Sequence, residues 1–443
     1  MKLKPKLSFS QIINMNVGFL GIQYSFGLQQ SAVNPIYDML GASPDEIPLL
    51  NLAGPMTGLL IQPIIGALSD KTWSARWGRR KPYFLIGAIL CSVALLIYPF
   101  SSSLWMAAGL LWILDAGNNT AMEPYRAFIA DNLDGSQQGM GFQAQSFFTG
   151  LGQTLANLSL FVFPMLFVGY TGKLPNWVYA SFFLGAICSI GSILWSIKTT
   201  KEIPPDEEEL AYINSSGKGV LTPFKEIFGA IKDMPKVMWQ LALVYLFQWY
   251  ALFCYWQNSS KSVALSVWGV TPSSDTKLYE EAVSWTGLVN GWYNIVTFLS
   301  AFALAGLASR SSAKWVHISC LILAATGFLL FPWMSNKYLL ILAITGFGIG
   351  WASMMGIPYL MVVSQIPKER YGVYMGIINM MIVIPMILQN LTFGFILQNF
   401  LHNDARLAIT LAGVLLILAA IATVLMKTKK PDQELSAVPT GGH

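Results

Sequence analysis

Twelve apolar runs, each close to the length a helix needs to cross a hydrocarbon layer, dominate this 443-residue sequence. Hydrocarbon cannot satisfy a bare peptide group, whereas a helix of ~20 residues satisfies its own and spans the layer. The runs cover 9–35, 47–69, 83–100, 104–129, 141–168 and 177–197, then 237–259, 282–308, 315–333, 338–364, 373–400 and 405–426. Only 11% of the residues are charged and 54% are hydrophobic, where soluble domains carry roughly a quarter charged. A soluble enzyme and a disordered chain are both excluded. The pattern predicts an all-α membrane protein of twelve transmembrane helices, multi-pass in the cell (inner) membrane.

The charge pattern sets the expected orientation, because basic loops resist translocation. With both termini on one side, the other side holds only Lys173, Lys261, Lys277, Lys337 and Arg406 of the 27 Lys and Arg, and Arg126 lies inside the fourth run. Both termini are therefore predicted to be cytoplasmic. Lys2, Lys4 and Lys6 resemble the charged start of a signal peptide, but the first run is too long and no Ala-x-Ala site follows it, so it is read as the first helix. The net charge of +5 is spread over short loops and gives no reason to expect nucleic acid. Cys91, Cys188, Cys254 and Cys320 stand alone in apolar stretches, so neither a disulfide framework nor a metal site is expected.

The longest polar stretch carries an acidic run at Asp206, Glu207, Glu208 and Glu209. Within it, Thr222 and Pro223 form a plausible cap and first turn, followed by Phe224, Ile227, Phe228 and Ile231 at helical spacing. The reading is a six-helix bundle over 1–198, a cytoplasmic linker with a surface amphipathic helix over 199–236, a second six-helix bundle over 237–426, and a tail over 427–443. Such a 6+6 plan suits a carrier that rocks two bundles about a midplane site, and it can work as a monomer surrounded by lipid.

Charges well inside an apolar run are confined to the fourth: Asp115, Glu123 and Arg126. An aspartate at a helix centre costs ~2.5–3.5 kcal/mol on insertion scales, so it is seldom present without a cavity, a partner or a proton path. At 100° per residue, Asp115, Asn119, Glu123 and Arg126 share one half of the helix. Asp115 and Arg126 are roughly 16 Å apart along the axis and cannot pair, whereas Glu123 and Arg126 are neighbours at i and i+3. Burial disfavours the charged form of a lone carboxyl, which makes Asp115 the expected proton carrier. The competing reading is a carboxyl bonded between helices that never titrates; for Glu123 and Arg126 it is a static pair.

Neutral amides offer donors and acceptors together, which suits hydroxyl-rich ligands, and the apolar faces of a sugar pack on aromatic rings. Asn16, Gln23 and Gln30 recur every seven residues in the first run, with Tyr24 beside them. Gln143, Ser146, Gly150, Gln153 and Asn157 form a comparable stripe in the fifth. The second half adds Gln248, Tyr255, Trp256, Asn290, Tyr293, Asn294, Trp351 and Tyr359 as candidate lining residues. Interhelical hydrogen bonding and interfacial aromatic belts are the alternative explanation for each of them.

Between the second and third runs, Asp70 is followed by Gly78, Arg79 and Arg80. This loop resembles the cytoplasmic signature of the major facilitator superfamily, with four extra residues between its acid and glycine portions, as in sucrose/proton symporters. The resemblance implies a latch in which Asp70 and the arginines make charge-assisted bonds when the cytoplasmic ends of the bundles close. Asp115, Asn118, Asn119, Pro124, Arg126-Ala127 and Ala130-Asp131 match the fourth helix of the same symporters. Gly21-Ile22-Gln23, Gly54-Pro55 and Gln62-Pro63 extend the likeness.

In that family the aspartate is implicated in proton coupling and the arginine in sugar transport, roles the resemblance carries to Asp115 and Arg126. Glu123, Arg126 and Asp131 are read together as a charge and gating group. Plant members have glycine where this chain has Glu123; Met122-Glu123-Pro124 is similar to the bacterial branch, which opens maltose and other glucosides as substrates. The expected function is import of a disaccharide or related glucoside with H+. Sodium coupling, a drug/proton antiporter and a non-transporting membrane sugar sensor are the alternatives. The glycine-rich run ending in Gly-Pro that marks such antiporters is missing from the fifth run. No catalytic Ser/His/Asp set or phosphate-binding loop supports an enzyme, and no cofactor is expected.

Overall fold

The computed structural model describes residues 4–205, 207–214, 229, 231–363 and 371–427. Nearly all of the regular structure there is helical. The first apolar run forms three successive helices, α1 (Phe9–Asn16), α2 (Gly18–Ser31) and α3 (Val33–Met39), and the second forms α4 (Ile47–Leu50) and α5 (Ala53–Asp70). Next come α6 (Lys81–Ile97), α7 (Leu104–Asn132), α8 (Gly135–Leu166), α9 (Asn176–Thr199) and α10 (Glu207–Asn214). The second half contains α11 (Lys236–Val263), α12 (Thr276–Arg310), α13 (Ala313–Leu330), α14 (Leu339–Val363), α15 (Tyr371–Asn399) and α16 (Ala405–Leu425). A two-residue hairpin, β1 (Tyr170–Thr171) with β2 (Leu174–Pro175), joins α8 to α9.

Nine helical stretches among the described residues are long and apolar enough to cross a membrane. The other three apolar runs fall on α1–α3, α7 and α12, which carry many of the amides and charges singled out in the sequence. Local chemistry sets the boundaries. Ser8 and Gln11 form a reciprocal cap on α1, and Ser103 caps α7 through the Met106 N–H. The interruption between α1 and α2 has a visible cause: the Gly18 N–H donates to Ser196 Oγ at 2.8 Å and to Tyr125 Oη at 3.1 Å.

Two boundaries move with consequence. α7 runs on to Asn132, which places Asp131 on the helix that carries Asp115. α11 extends beyond residue 259, so Lys261, which the sequence reading placed in an aqueous loop, is a buried helical residue. Burial is tolerated because Asp38 compensates its charge at 3.3 Å. Most of the amphipathic linker helix expected at 222–231 lies outside the described residues, as do Asp206, Lys368, Arg370, Lys429 and Lys430. In the described part of the linker, α10 is a helix that apolar periodicity did not predict.

The chain forms two compact units. One comprises Met1–Gln29, Met56–Ala156 and Leu166–Glu226; the other comprises Gln30–Pro55, Asn157–Met165 and Ile227–His443. The first is centred on Phe84, whose ring lies 5.0 Å from that of Tyr125 and 5.3 Å from that of Phe128. The second is centred on Tyr255, stacked on Phe328 at 4.7 Å and tilted against Phe347 at 5.3 Å. Lipid tails are as apolar as these rings, so close packing and interhelical hydrogen bonds, rather than water exclusion, fix which helices meet.

Candidate functional site

Helical periodicity puts Asp115, Asn118 and Asn119 on one wall of α7, and all three are buried. Asn118 Nδ2 donates to Ser25 Oγ at 2.9 Å, and the Cys91 thiol donates to Asn118 Oδ1 at 3.2 Å. Asn119 is held more fully: its Nδ2 reaches Thr57 Oγ1 at 3.0 Å, and its Oδ1 accepts from Gln62 Nε2 at 2.6 Å. Asp115 differs from both. Only 2% of it is exposed, its side-chain neighbour is Gln29, and its Oδ1 has no hydrogen-bond partner among the described residues. A buried carboxylate oxygen left without a donor is costly in a packed interior, and it is the chemical exception on this wall.

The amides of α2 and α8 meet as their spacing suggested. Gln153 Nε2 donates to Gln23 Oε1 at 2.9 Å. Gly152 permits this approach, since a Cβ there would lie 2.5 Å from the Leu20 carbonyl oxygen and 2.9 Å from Gln23 Cβ. Tyr24 is buried on the same helix. Asn16 turns its Nδ2 onto its own helix, to the Ile12 carbonyl at 2.8 Å. Gln30 belongs to the other compact unit, so the heptad stripe of the first run does not act as one set.

Glu123 and Arg126 form the expected i, i+3 contact at 3.7 Å, with both side chains nearly half exposed. Asp131 is not part of it. Its carboxylate accepts from Arg80 Nε at 2.8 Å, and Arg80 Nη2 lies 2.6 Å from Asp70 Oδ1. Arg79 adds a 3.6 Å contact to Asp70. Burial alone would push the Arg80 guanidinium down; Asp131 and Asp70 outweigh it and hold the charge more firmly than usual.

The resemblance implied that these bonds form on closure of two bundles; among the described residues, the partners Asp70, Arg79, Arg80 and Asp131 belong to one compact unit. A further member was not anticipated. The Glu202 carboxylate accepts the backbone N–H groups of Arg79 at 2.6 Å, Arg80 at 3.1 Å and Lys81 at 2.9 Å. Gly78 sits at φ +78°, and a Cβ there would lie 2.6 Å from the Glu202 carboxylate. Both the left-handed backbone and this approach require glycine.

In the second unit, Tyr255 Oη donates to Asn290 Oδ1 at 2.8 Å, and Asn290 Nδ2 donates to Ser31 Oγ at 3.0 Å. Ser31 Oγ in turn donates to Asn157 Oδ1 at 2.6 Å. Asn294 bonds back to the Asn290 carbonyl, and Trp256 Nε1 donates to Tyr293 Oη at 3.3 Å. The Trp351 ring stands edge-on to Trp249 at 5.6 Å and to Trp256 at 5.5 Å. Beside Trp249 in sequence, Gln248 is fully buried, and among the described residues neither end of its amide has a hydrogen-bond partner, nor does Trp249 Nε1. The side chain of Tyr359 lies outside the described residues.

Sequence reasoning missed Tyr125 and the trio Asp38, Lys261 and Tyr279. The Tyr125 hydroxyl donates to the Met15 carbonyl at 2.5 Å and lies 2.9 Å from Ser196 Oγ, fixing the interruption in the first run. Its position in an acid-and-amide segment was the available signal. Asp38 and Lys261 stood at the ends of apolar runs, where charges are ordinary.

Residues 15–389 and 262–441 match the family profile described as Major Facilitator Superfamily. Sucrose transport protein SUT5 of Oryza sativa subsp. indica is 23% identical, with 96% of this chain and 88% of that protein covered. Sucrose transport protein SUC4 of Arabidopsis thaliana is 24% identical over 88% of this chain and 85% of its own. The crystal structure of a D-xylose-proton symporter aligns with a TM-score of 0.69 at 15% identity, covering 96% of this chain and 99% of that one. The crystal structure of the nucleoside transporter NupG aligns with a TM-score of 0.69 at 13% identity, covering 96% of this chain and 100% of that one.

Proposed function

The chain belongs to the major facilitator superfamily, whose members are multi-pass membrane transporters and not enzymes, and from that premise we propose that it is a proton-coupled sugar symporter. In this reading it imports a disaccharide or related glucoside of the sucrose or maltose class by alternating access. Twelve crossings in two six-helix bundles, with both termini cytoplasmic, complete the proposal; the distribution of Lys and Arg supports the orientation.

The observation that carries the reading is the buried Asp115 carboxyl, with one oxygen unpartnered on a helix wall otherwise made of satisfied amides. A group in that position can accept a proton without first giving up a strong ion pair. In the first unit, Gln23 and Gln153 can exchange their mutual hydrogen bond for sugar hydroxyls, and Asn118 and Asn119, bonded to Ser25 and Thr57, shape the wall beside them. In the second unit, taken by itself, the Gln248 amide, without a hydrogen-bond partner among the described residues, and the Trp249, Trp256 and Trp351 rings offer a polar handle and apolar faces to a sugar. Arg126 and Glu123 form a half-exposed pair able to exchange partners as the helix moves. The names of the plant relatives support sucrose or a close analogue as cargo.

In the proposed cycle, protonation of Asp115 favours the sugar-binding state, and loss of both ligands on the inside resets the carrier. Proton and sugar must therefore bind cooperatively. The test is purified protein in proteoliposomes, with counterflow of maltose, sucrose, trehalose and monosaccharides under imposed pH or sodium gradients. Counterflow of a disaccharide, accumulated on an inward proton gradient, is the expected result. Binding without counterflow would identify a sensor, accumulation only on a sodium gradient would reassign the ion, and indifference to every sugar would sink the proposal.

A further inference from the structure

We propose that Asp38, Lys261 and Tyr279 form the lock of the outer gate, a set of transport-cycle residues distinct from the proton and sugar groups described above. Lys261 Nζ lies 3.3 Å from Asp38 Oδ1, and Tyr279 Oη donates to Asp38 Oδ2 at 2.5 Å. The Asp38 side chain is 3% exposed and that of Lys261 is 8% exposed. A pair this dry is strongly destabilised when one partner is removed, because the other charge stays buried and uncompensated. It opens at low cost only if both charges reach water together. That behaviour suits a two-position lock.

Position in the chain gives the lock its role. Asp38 lies at the end of α3, while Lys261 and Tyr279 lie near the facing ends of α11 and α12, yet all belong to one compact unit. Carriers that work by alternating access part their two sequence halves at one membrane face in each half-cycle. Contacts that join segments 30–55 and 157–165 to the second-half helices are those that such parting must break.

Two neutral seams accompany the lock. One is the Ser31, Asn157 and Asn290 chain. In the other, Asn51 Nδ2 donates to Asn34 Oδ1 at 2.6 Å, and Asn390 Nδ2 donates to the Asn51 carbonyl at 3.3 Å. Neutral hydrogen bonds are readily exchanged for water, whereas the ion pair sets a discrete closed state.

Two further observations fit. A cavity of about 570 Å³ borders the pair, walled by Asp38, Lys261, Thr271, Ser273, Thr276 and Asn403, and leaves space beside both side chains into which they could part. Immediately after Val263, residues Ala264–Trp268 form a π-helical turn ending at Gly269, whose φ is +67°. Such turns are rare and occur frequently at functional sites.

The test reads accessibility of Ala282, one turn deeper than Tyr279 on α12 and fully buried. Ala282→Cys is labelled with a membrane-impermeant maleimide, applied to each face of sealed vesicles in turn, and compared with the unsubstituted chain and its four native cysteines. From one face, labelling should be slow in the parent and faster by about tenfold or more in Asp38→Asn and in Lys261→Met, a bias of ~1.4 kcal/mol. The Asp38→Lys, Lys261→Asp exchange should restore slow labelling. Tyr279→Phe, which keeps both charges, should give an intermediate rate and serves as the variant least disturbing to folding. Parent-like rates in all the folded single variants would overturn the lock. No sugar is present during labelling, so its outcome is separate from that of the substrate and ion proposals.

Discussion

Asn119 Nδ2 donates to the main-chain carbonyl of Asp115 at 3.0 Å, one helical turn away, and so ties its side chain to the backbone that carries the acid. Thr57 and Gln62 hold the remaining positions of the same amide. The wall around Asp115 is thus rigid, while the carboxyl itself retains a free acceptor. Rigid surroundings and an uncommitted acid are the arrangement a proton site needs, since fixed dipoles do not have to reorganise at each transfer.

Replacing Asp115 with Asn tests this directly, because the shape is kept and the ionisable group is lost. Counterflow should survive, since exchange of sugar across the membrane needs no net proton movement. Accumulation on an imposed proton gradient should fall to a ratio of ~1, the value for uncoupled flux. Undiminished accumulation would reduce Asp115 to a structural residue.

The tryptophan group gives a graded expectation. An edge-to-face aromatic pair is worth ~0.5–1.5 kcal/mol beyond its area, and Trp351 makes two such contacts. If the rings hold the sugar, Trp351→Ala should raise the half-saturating sugar concentration about tenfold, an effect of ~1.4 kcal/mol. Trp351→Phe should recover part of that. The concentration dependence of counterflow measures both; no change in either variant would leave the ring a packing element.

At the loop between α5 and α6, Gly78→Ala should lower stability by ~1–3 kcal/mol, the cost of a strained left-handed residue, and the new methyl also meets the Glu202 carboxylate. Glu202→Ala should cost ~1.5–3 kcal/mol, as for a lost hydrogen bond to a charged group. Thermal unfolding in detergent reads both. A Gly78→Ala protein as stable as the parent would show that the turn can relax.

Asp404 and Arg406 supply a pH-dependent element at the start of α16. Burial alone raises the Asp404 carboxyl, but hydrogen bonds and charge from Arg406 outweigh it and hold the group below its ordinary 3.8. A folded-state value below the unfolded one contributes stability above pH 3.8 and loses it as the pH falls through the folded value. Both side chains are partly exposed, so the contribution should stay under ~1 kcal/mol. Arg406→Gln should lower the melting temperature at pH 7, and the difference from the parent should shrink in acid; a constant difference would show that the pair acts through packing.

Several pairings were legible because they are local. Glu123 and Arg126 are three residues apart, and Asp115, Asn118 and Asn119 share a face by periodicity alone. The amide stripe in α2 was legible only in part: Gln23 finds Gln153, whereas Asn16 bonds to its own helix, and neither hydropathy nor spacing distinguishes these fates. That Asp131 is bonded by Arg80 was not legible, for a related reason. Its helix phase was known, but the loop that returns Arg80 to it, 51 residues earlier in the chain, has no periodicity to read.

Hydropathy and a 3.6-residue period are properties of a single stretch, and they suffice to make this chain a helical membrane protein whose basic loops favour one face. They also single out one run with an acid that its apolar surroundings do not explain. Tertiary packing was needed to establish that Asp115 keeps an unpartnered oxygen, that Glu202 caps the loop beginning at Gly78, and that Lys261 is buried against Asp38, 223 residues away. The charge on one side chain does not name its partner; the packing of distant helices determines which groups lose water together.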